Sequence, residues 1–160
     1  MKMEISKYGK ITRYAALFIW IALILFLSTG NGSSEETSRI IGPILKYLFP
    51  DASADLLEFY HAIIRKLAHP TAYGILAYLA ARTFAYGREL EGRLYWCVRS
   101  LLVVIIVASI DEFNQSYLPS RTGSPRDVLL DLCGALFALG LFALWNRRSD
   151  VELRAGYNEP

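Results

Sequence analysis

Arg65, His69 and Tyr73 recur at intervals of four residues, so a helix through them carries a guanidinium, an imidazole and a phenol on one face. Asp111 and Gln115 have the same spacing, as do Asp127 and Asp131, while Lys66 and Glu112 stand beside two of these stripes. Arg121 and Arg126 lie between the second stripe and the third. Two kinds of chemistry follow from these types. Arg65, Lys66, Arg121 and Arg126 supply cations for a phosphate or carboxylate, and the arginines add a bidentate fork. His69, Asp111 and Glu112 are the candidates for proton transfer, because imidazole titrates near neutrality and a carboxylate can act as acid or base. Tyr73, Gln115, Asp127 and Asp131 complete the expected ligand-binding set. The sequence offers no nucleophile motif, glycine-rich phosphate loop or recognised metal-ligand spacing, so neither metal nor cofactor is expected.

Groups so far apart in sequence meet only if whole elements carry them together. The chain has 160 residues, a length that suits one domain. Its residues are 54% hydrophobic and 20% charged, and the second figure falls below the roughly 25% of soluble domains. The balance favours lipid. A net charge of +2, with the basic residues dispersed, argues against nucleic acid as a partner. Cys97 and Cys133 form no disulfide framework and read as packing residues.

A membrane-crossing helix needs roughly 20 mostly apolar residues. Four stretches meet that need, at about 11–29, 66–86, 94–111 and 127–145. The expected fold is therefore all-α, an integral membrane bundle of four transmembrane helices with an amphipathic segment between the first and second. The first stretch also has the outline of a signal peptide, with Lys2, Lys7, Lys10 and Arg13 before it and Ser28 and Gly30 after it. Its terminal aromatic residues favour a retained anchor. Ser33 to Thr37 has the composition of a helix start, with Glu35 and Glu36 in the first turn. Ile40, Ile41, Ile44, Leu45 and Leu48 follow at helical spacing, which suits a helix lying on the membrane surface, kinked at Pro43 or starting there. A second short amphipathic stretch, Asp51 to Ile64, leads into the second span, where Pro70 falls in the first turn. Gly134 and Ala138 in the last span make a small-xxx-small pattern for close helix packing.

Basic residues set the expected orientation. Cytoplasmic termini place Lys2, Lys7, Lys10, Arg13, Arg82, Arg88, Arg93, Arg147, Arg148 and Arg154 inside, ten in all, against Arg39, Lys46, Arg65, Lys66, Arg121 and Arg126, six, outside. This topology brings the charged stripes of three spans to one outer depth. An acid facing lipid costs roughly 2.5–3.5 kcal/mol at the helix centre, so these stripes should face the bundle interior or a wet cavity. One reading makes them a ligand site. The other makes them an ion-pair network, because Arg65, Lys66, Arg121 and Arg126 balance Asp111, Glu112, Asp127 and Asp131.

The succession Arg65-Lys66-x-x-His69-x-x-x-Tyr73-x-x-Leu76, then Asp111-Glu112-x-x-Gln115, then Pro119-x-Arg121-x-Gly123-Ser124-x-x-Asp127 to Gly134 resembles the VanZ-like family. Phe26-Leu27-Ser28 is similar to the family's opening segment, and the likeness runs from about Leu17 to Gly140. Family members commonly have an aromatic residue after the histidine, an acid before the tyrosine and a histidine before the glutamine; Pro70, Ala72 and Asn114 stand there in this chain. The resemblance implies a four-helix protein of the bacterial cytoplasmic membrane and, through the founding member, a link to teicoplanin resistance. Expected partners are membrane lipids and a lipid-linked phosphate or glycopeptide ligand, with self-association left open. Three functions compete: a binding site for such an amphiphile, acid–base catalysis on a lipid-linked substrate, and a non-catalytic accessory subunit.

Overall fold

A computed structural model describes residues 7–29, 32–86, 92–117 and 125–157. It is all-helical over these residues, with α1 Lys7–Ser28, α2 Ser34–Leu48, α3 Ala54–Phe84, α4 Gly92–Ser116 and α5 Pro125–Tyr157. Local chemistry sets several ends. The Ser33 hydroxyl accepts from the Glu36 amide and the Ser53 hydroxyl from the Leu56 amide, so each serine satisfies an amide that its helix leaves without a partner. At the other end of α2, the Lys46 ammonium donates to the Pro50 carbonyl at 2.8 Å. Gly92 opens α4 at φ +72°, a conformation natural to glycine.

Interhelical contacts define the bundle. Arg13 of α1 donates to the carbonyl of Arg82 near the end of α3, Trp20 donates to that of Ala72, and Arg65 of α3 donates to that of Gly32 just past α1. Thus α1 and α3 run antiparallel along their lengths. Ser28 donates to the Asp111 carbonyl, placing the end of α1 beside the end of α4, so these two run the same way. Phe142 of α5 meets both Tyr78 and Trp96 edge-on, which sets α5 parallel to α3 and antiparallel to α4. The centre is α3, packed against all four other helices. Ala77, Ala80, Ala81, Ala108 and Ala135 are fully buried with Leu76 and Val104, and small side chains of this kind let backbones approach closely. The approach is tightest at Gly134, where an added methyl would collide with the Pro70 carbonyl, and at Gly74, whose added methyl would lie 3.2 Å from the Gly134 carbonyl.

Phe18, Ile19, Phe26, Ile106, Phe137 and Leu144 face outward, a surface that water would penalise and acyl chains would not. Three described helices, Tyr8–Ser28, Gly92–Ser116 and Arg126–Asn146, are long and apolar enough to cross a membrane, which makes a multi-pass arrangement. The stretch at 66–86 falls outside this group because Lys66, His69, Pro70 and Arg82 interrupt it. The structure also changes its boundaries. Residues from 54 onward join it in one 31-residue helix, so Pro70 lies in the helix interior. Helix α2 passes through Pro43 from its cap at Ser33. Cys133 is exposed and so is not a packing residue, while Cys97 is half-buried.

Candidate functional site

Asp111 organises the end of the bundle where α1, α3 and α4 meet. It lies one turn inside the last residues of α4 and is 3% exposed. The Tyr73 hydroxyl donates to Asp111 Oδ2 at 2.8 Å, and Gln115 Nε2, one turn further along α4, donates to Oδ1 at 2.8 Å. One donor on each oxygen fixes the carboxyl group in one orientation. His69, one turn before Tyr73, brings Nδ1 to 4.0 Å from Asp111 Oδ2 and to 4.0 Å from Asp131 Oδ1. Asp131 enters from α5 and is fully buried, and neither of its oxygens meets a hydrogen-bond donor among the described residues. One oxygen of each carboxylate and one imidazole nitrogen all lie within 4.8 Å of one another.

A cavity of about 170 Å³ opens beside this group. Ile24 and Leu27 form an apolar wall, while Arg65, Thr37, His69, Asp111 and Gln115 supply the polar lining. Arg65 is held at its rim, donating Nη1 to the Gly32 carbonyl at 3.0 Å and to the Thr37 hydroxyl at 2.6 Å. The same hydroxyl lies 3.2 Å from Nε2 of His61, a buried residue one turn before Arg65. Burial holds the His61 pKa below its ordinary value, and the Arg65 cation lowers it further while Glu58 pulls the other way. A larger cleft of about 960 Å³ runs between α3 and α5; its walls are mostly apolar, with Arg13 and Arg82 among the lining residues.

The expected site residues therefore divide. Arg65, His69, Tyr73, Asp111 and Gln115 share the cavity, and Asp131 stands against it through His69. Glu112 is buried next to Asp111, and Asp127 is half-buried at the start of α5. Lys66 and Arg126 are exposed. Arg121, with Pro119, Gly123 and Ser124 of the same motif, lies outside the described residues. Ser28, Thr37 and Gly32 were absent from the expected set. Ser28 and Thr37 could have been found as hydroxyls beside apolar runs, although both also fit ordinary helix-end chemistry. Among the described residues, no lysine or arginine pairs with Asp111 or Asp131, and Arg121 of the expected ion-pair network lies outside them.

A family model described as VanZ/LLP1 matches residues 13–146. No curated protein and no solved structure matches the chain.

Proposed function

The chain belongs to the VanZ/LLP1 family, and from that premise we propose that it is a four-pass protein of the bacterial cytoplasmic membrane that binds the polar head of an amphiphilic envelope molecule. Both termini are cytoplasmic in this reading, and the cavity opens at the outer face. The fourth pass is α3: it runs antiparallel to α1 and α4 along their lengths, and a helix enclosed by spanning neighbours need not be apolar on every side.

The observation that carries the reading is the cavity's two-sided lining. Arg65 offers a cation at the rim, His69 and Gln115 offer further polar contacts, and Ile24 and Leu27 continue as an apolar wall into the bundle surface. Such a site suits a molecule with an anionic head and a hydrocarbon chain. Size narrows the class. About 170 Å³ is smaller than the roughly 300 Å³ at which drug-sized pockets begin, so a phosphate head fits where a whole glycopeptide does not. A lipid phosphate is the favoured ligand.

Native mass spectrometry of the protein taken from its own membranes tests this, with Arg65→Gln and Asp111→Asn beside the wild type. The expected result is a defined phospholipid or polyprenyl phosphate on the wild type that both variants lose while staying folded. Equal and bare spectra from all three proteins would remove the ligand reading and leave an accessory subunit.

A further inference from the structure

We propose that His69, Asp111 and Asp131 form a binding site for one divalent transition-metal ion, Zn²⁺ or Mn²⁺. The inference is independent of the lipid reading and is tested with the metal alone.

Two separate observations carry it. First, three donors of suitable type converge from three helices, α3, α4 and α5, with one atom from each within 4.8 Å of the others. One imidazole with two carboxylates suits zinc and manganese better than the all-oxygen shells of calcium or magnesium. Second, Asp131 is fully buried, its Oδ1 points to within 4.0 Å of His69 Nδ1, and neither oxygen meets a donor among the described residues. A buried carboxylate without a partner carries a large desolvation cost. A second carboxylate close by adds repulsion, which a cation between them would convert to attraction.

The surroundings of Asp111 have the form of a metal ligand's supporting shell. Tyr73 and Gln115 each donate to one of its oxygens and hold the carboxylate still, and each oxygen keeps a lone pair for the ion. Donor atoms in tetrahedral zinc sites stand about 3.4 Å apart, given bonds near 2.1 Å. The two 4.0 Å separations from His69, whose side chain is 32% exposed, close by a fraction of an ångström if the imidazole turns, and the two carboxylates, whose oxygens lie within 4.8 Å, must draw together as well. Three protein ligands leave further positions open. His69 and Asp111 line the cavity, so water or an oxygen of a bound head group can take those positions from that side.

The alternative cation is the proton, either on His69 between the two acids or on one of the acids. Equilibrium dialysis of the purified full chain in detergent, against Zn²⁺ or Mn²⁺ after chelator treatment, separates the two. The proposal expects a single ion per wild-type chain and its loss in Asp131→Asn, an almost isosteric change. His69→Gln, at a half-buried position, should abolish binding as well while the chain keeps its helical content by circular dichroism. X-ray absorption of the zinc-loaded wild type should show one imidazole nitrogen. Tyr73→Phe should still bind, with affinity lower by about 10–100-fold, as for other residues that orient a ligand. Failure of the wild type to retain either ion would overturn the site. So would equal retention by wild type and His69→Gln, which would place the ion on surface acids such as Glu35 and Glu36.

Discussion

Asp111 and Gly134 show how single positions set this site, one by polarity and the other by having no side chain. The spacing of Arg65, His69 and Tyr73, and that of Asp111 and Gln115, could be read from the sequence because four residues return a helix to the same face. Tyr73 and Gln115 indeed meet on one carboxylate. The convergence of His69, Asp111 and Asp131 on one point could not be read, because the donors come from three helices and share no local spacing. Gly134 was legible only as half of a small-xxx-small pattern; the structure supplies its partner, the Pro70 backbone. Proline at that place removes one hydrogen bond from α3, and its carbonyl is the atom that Gly134 approaches most closely. Gly134→Ala should therefore drive α3 and α5 apart, and overpacking of this kind costs roughly 1–3 kcal/mol. Gly140→Ala on the same helix is the control. An added methyl there meets nothing within 4 Å, and alanine favours the helix by up to about 1 kcal/mol. Thermal unfolding in detergent should show a lower midpoint for the first variant and an unchanged or higher one for the second.

Helix α2 raises a different question, namely what holds an amphipathic element against the bundle. Its cap and acidic first turn were legible at Ser33, Glu35 and Glu36, and the structure places the start there. The continuity of α3 through Pro70 was less legible, since hydropathy changes near Arg65 while the helix does not stop. That continuity brings His61 and Arg65 onto the face that receives Thr37 of α2. Ile40, Ile44, Tyr47 and Leu48 point outward from α2, as expected of a helix whose apolar side rests in the membrane interface. Docking should depend on pH through His61, which precedes the proposed span of α3. The groups around it are Arg65 and Glu58 on α3 and Thr37 on α2. Its pKa is lowered in the folded state, first by burial and then by Arg65. The unfolded or undocked form therefore takes up a proton first as pH falls. The stability that neutral His61 contributes is full well above its ordinary value of 6.5 and declines as pH drops from there towards the folded pKa. Amide hydrogen exchange along α2, corrected for intrinsic rates, should show less protection at pH 5 than at pH 7.5. His61→Gln, which cannot take up the proton, should flatten that difference.

The bundle as a whole depends on where α3 runs. Its 31 residues span about 46 Å at 1.5 Å per residue, more than the roughly 30 Å of a bilayer's hydrocarbon core. Length alone therefore lets it cross, although Lys66, His69, Pro70 and Arg82 dilute its apolar stretch. Apolar length in the sequence suggests four spans. Packing bears on the proposed fourth pass: α3 contacts α1 from Arg13 at one end to Gly32 at the other, and so runs alongside α1 over its length. If α3 crosses, Ser38 on α2 and Arg93 at the start of α4 lie on opposite sides of the membrane. Both are exposed, and Cys97 and Cys133 are free cysteines that serine can replace to give a silent background. In that background, Ser38→Cys should react with a membrane-impermeant maleimide in spheroplasts, and Arg93→Cys only after permeabilisation. Reaction of both in intact spheroplasts would mean that α3 lies outside and the bundle crosses three times. The reverse pattern would keep the fourth pass but turn the cavity to the cytoplasm, and its ligand would then be sought among molecules of the inner leaflet.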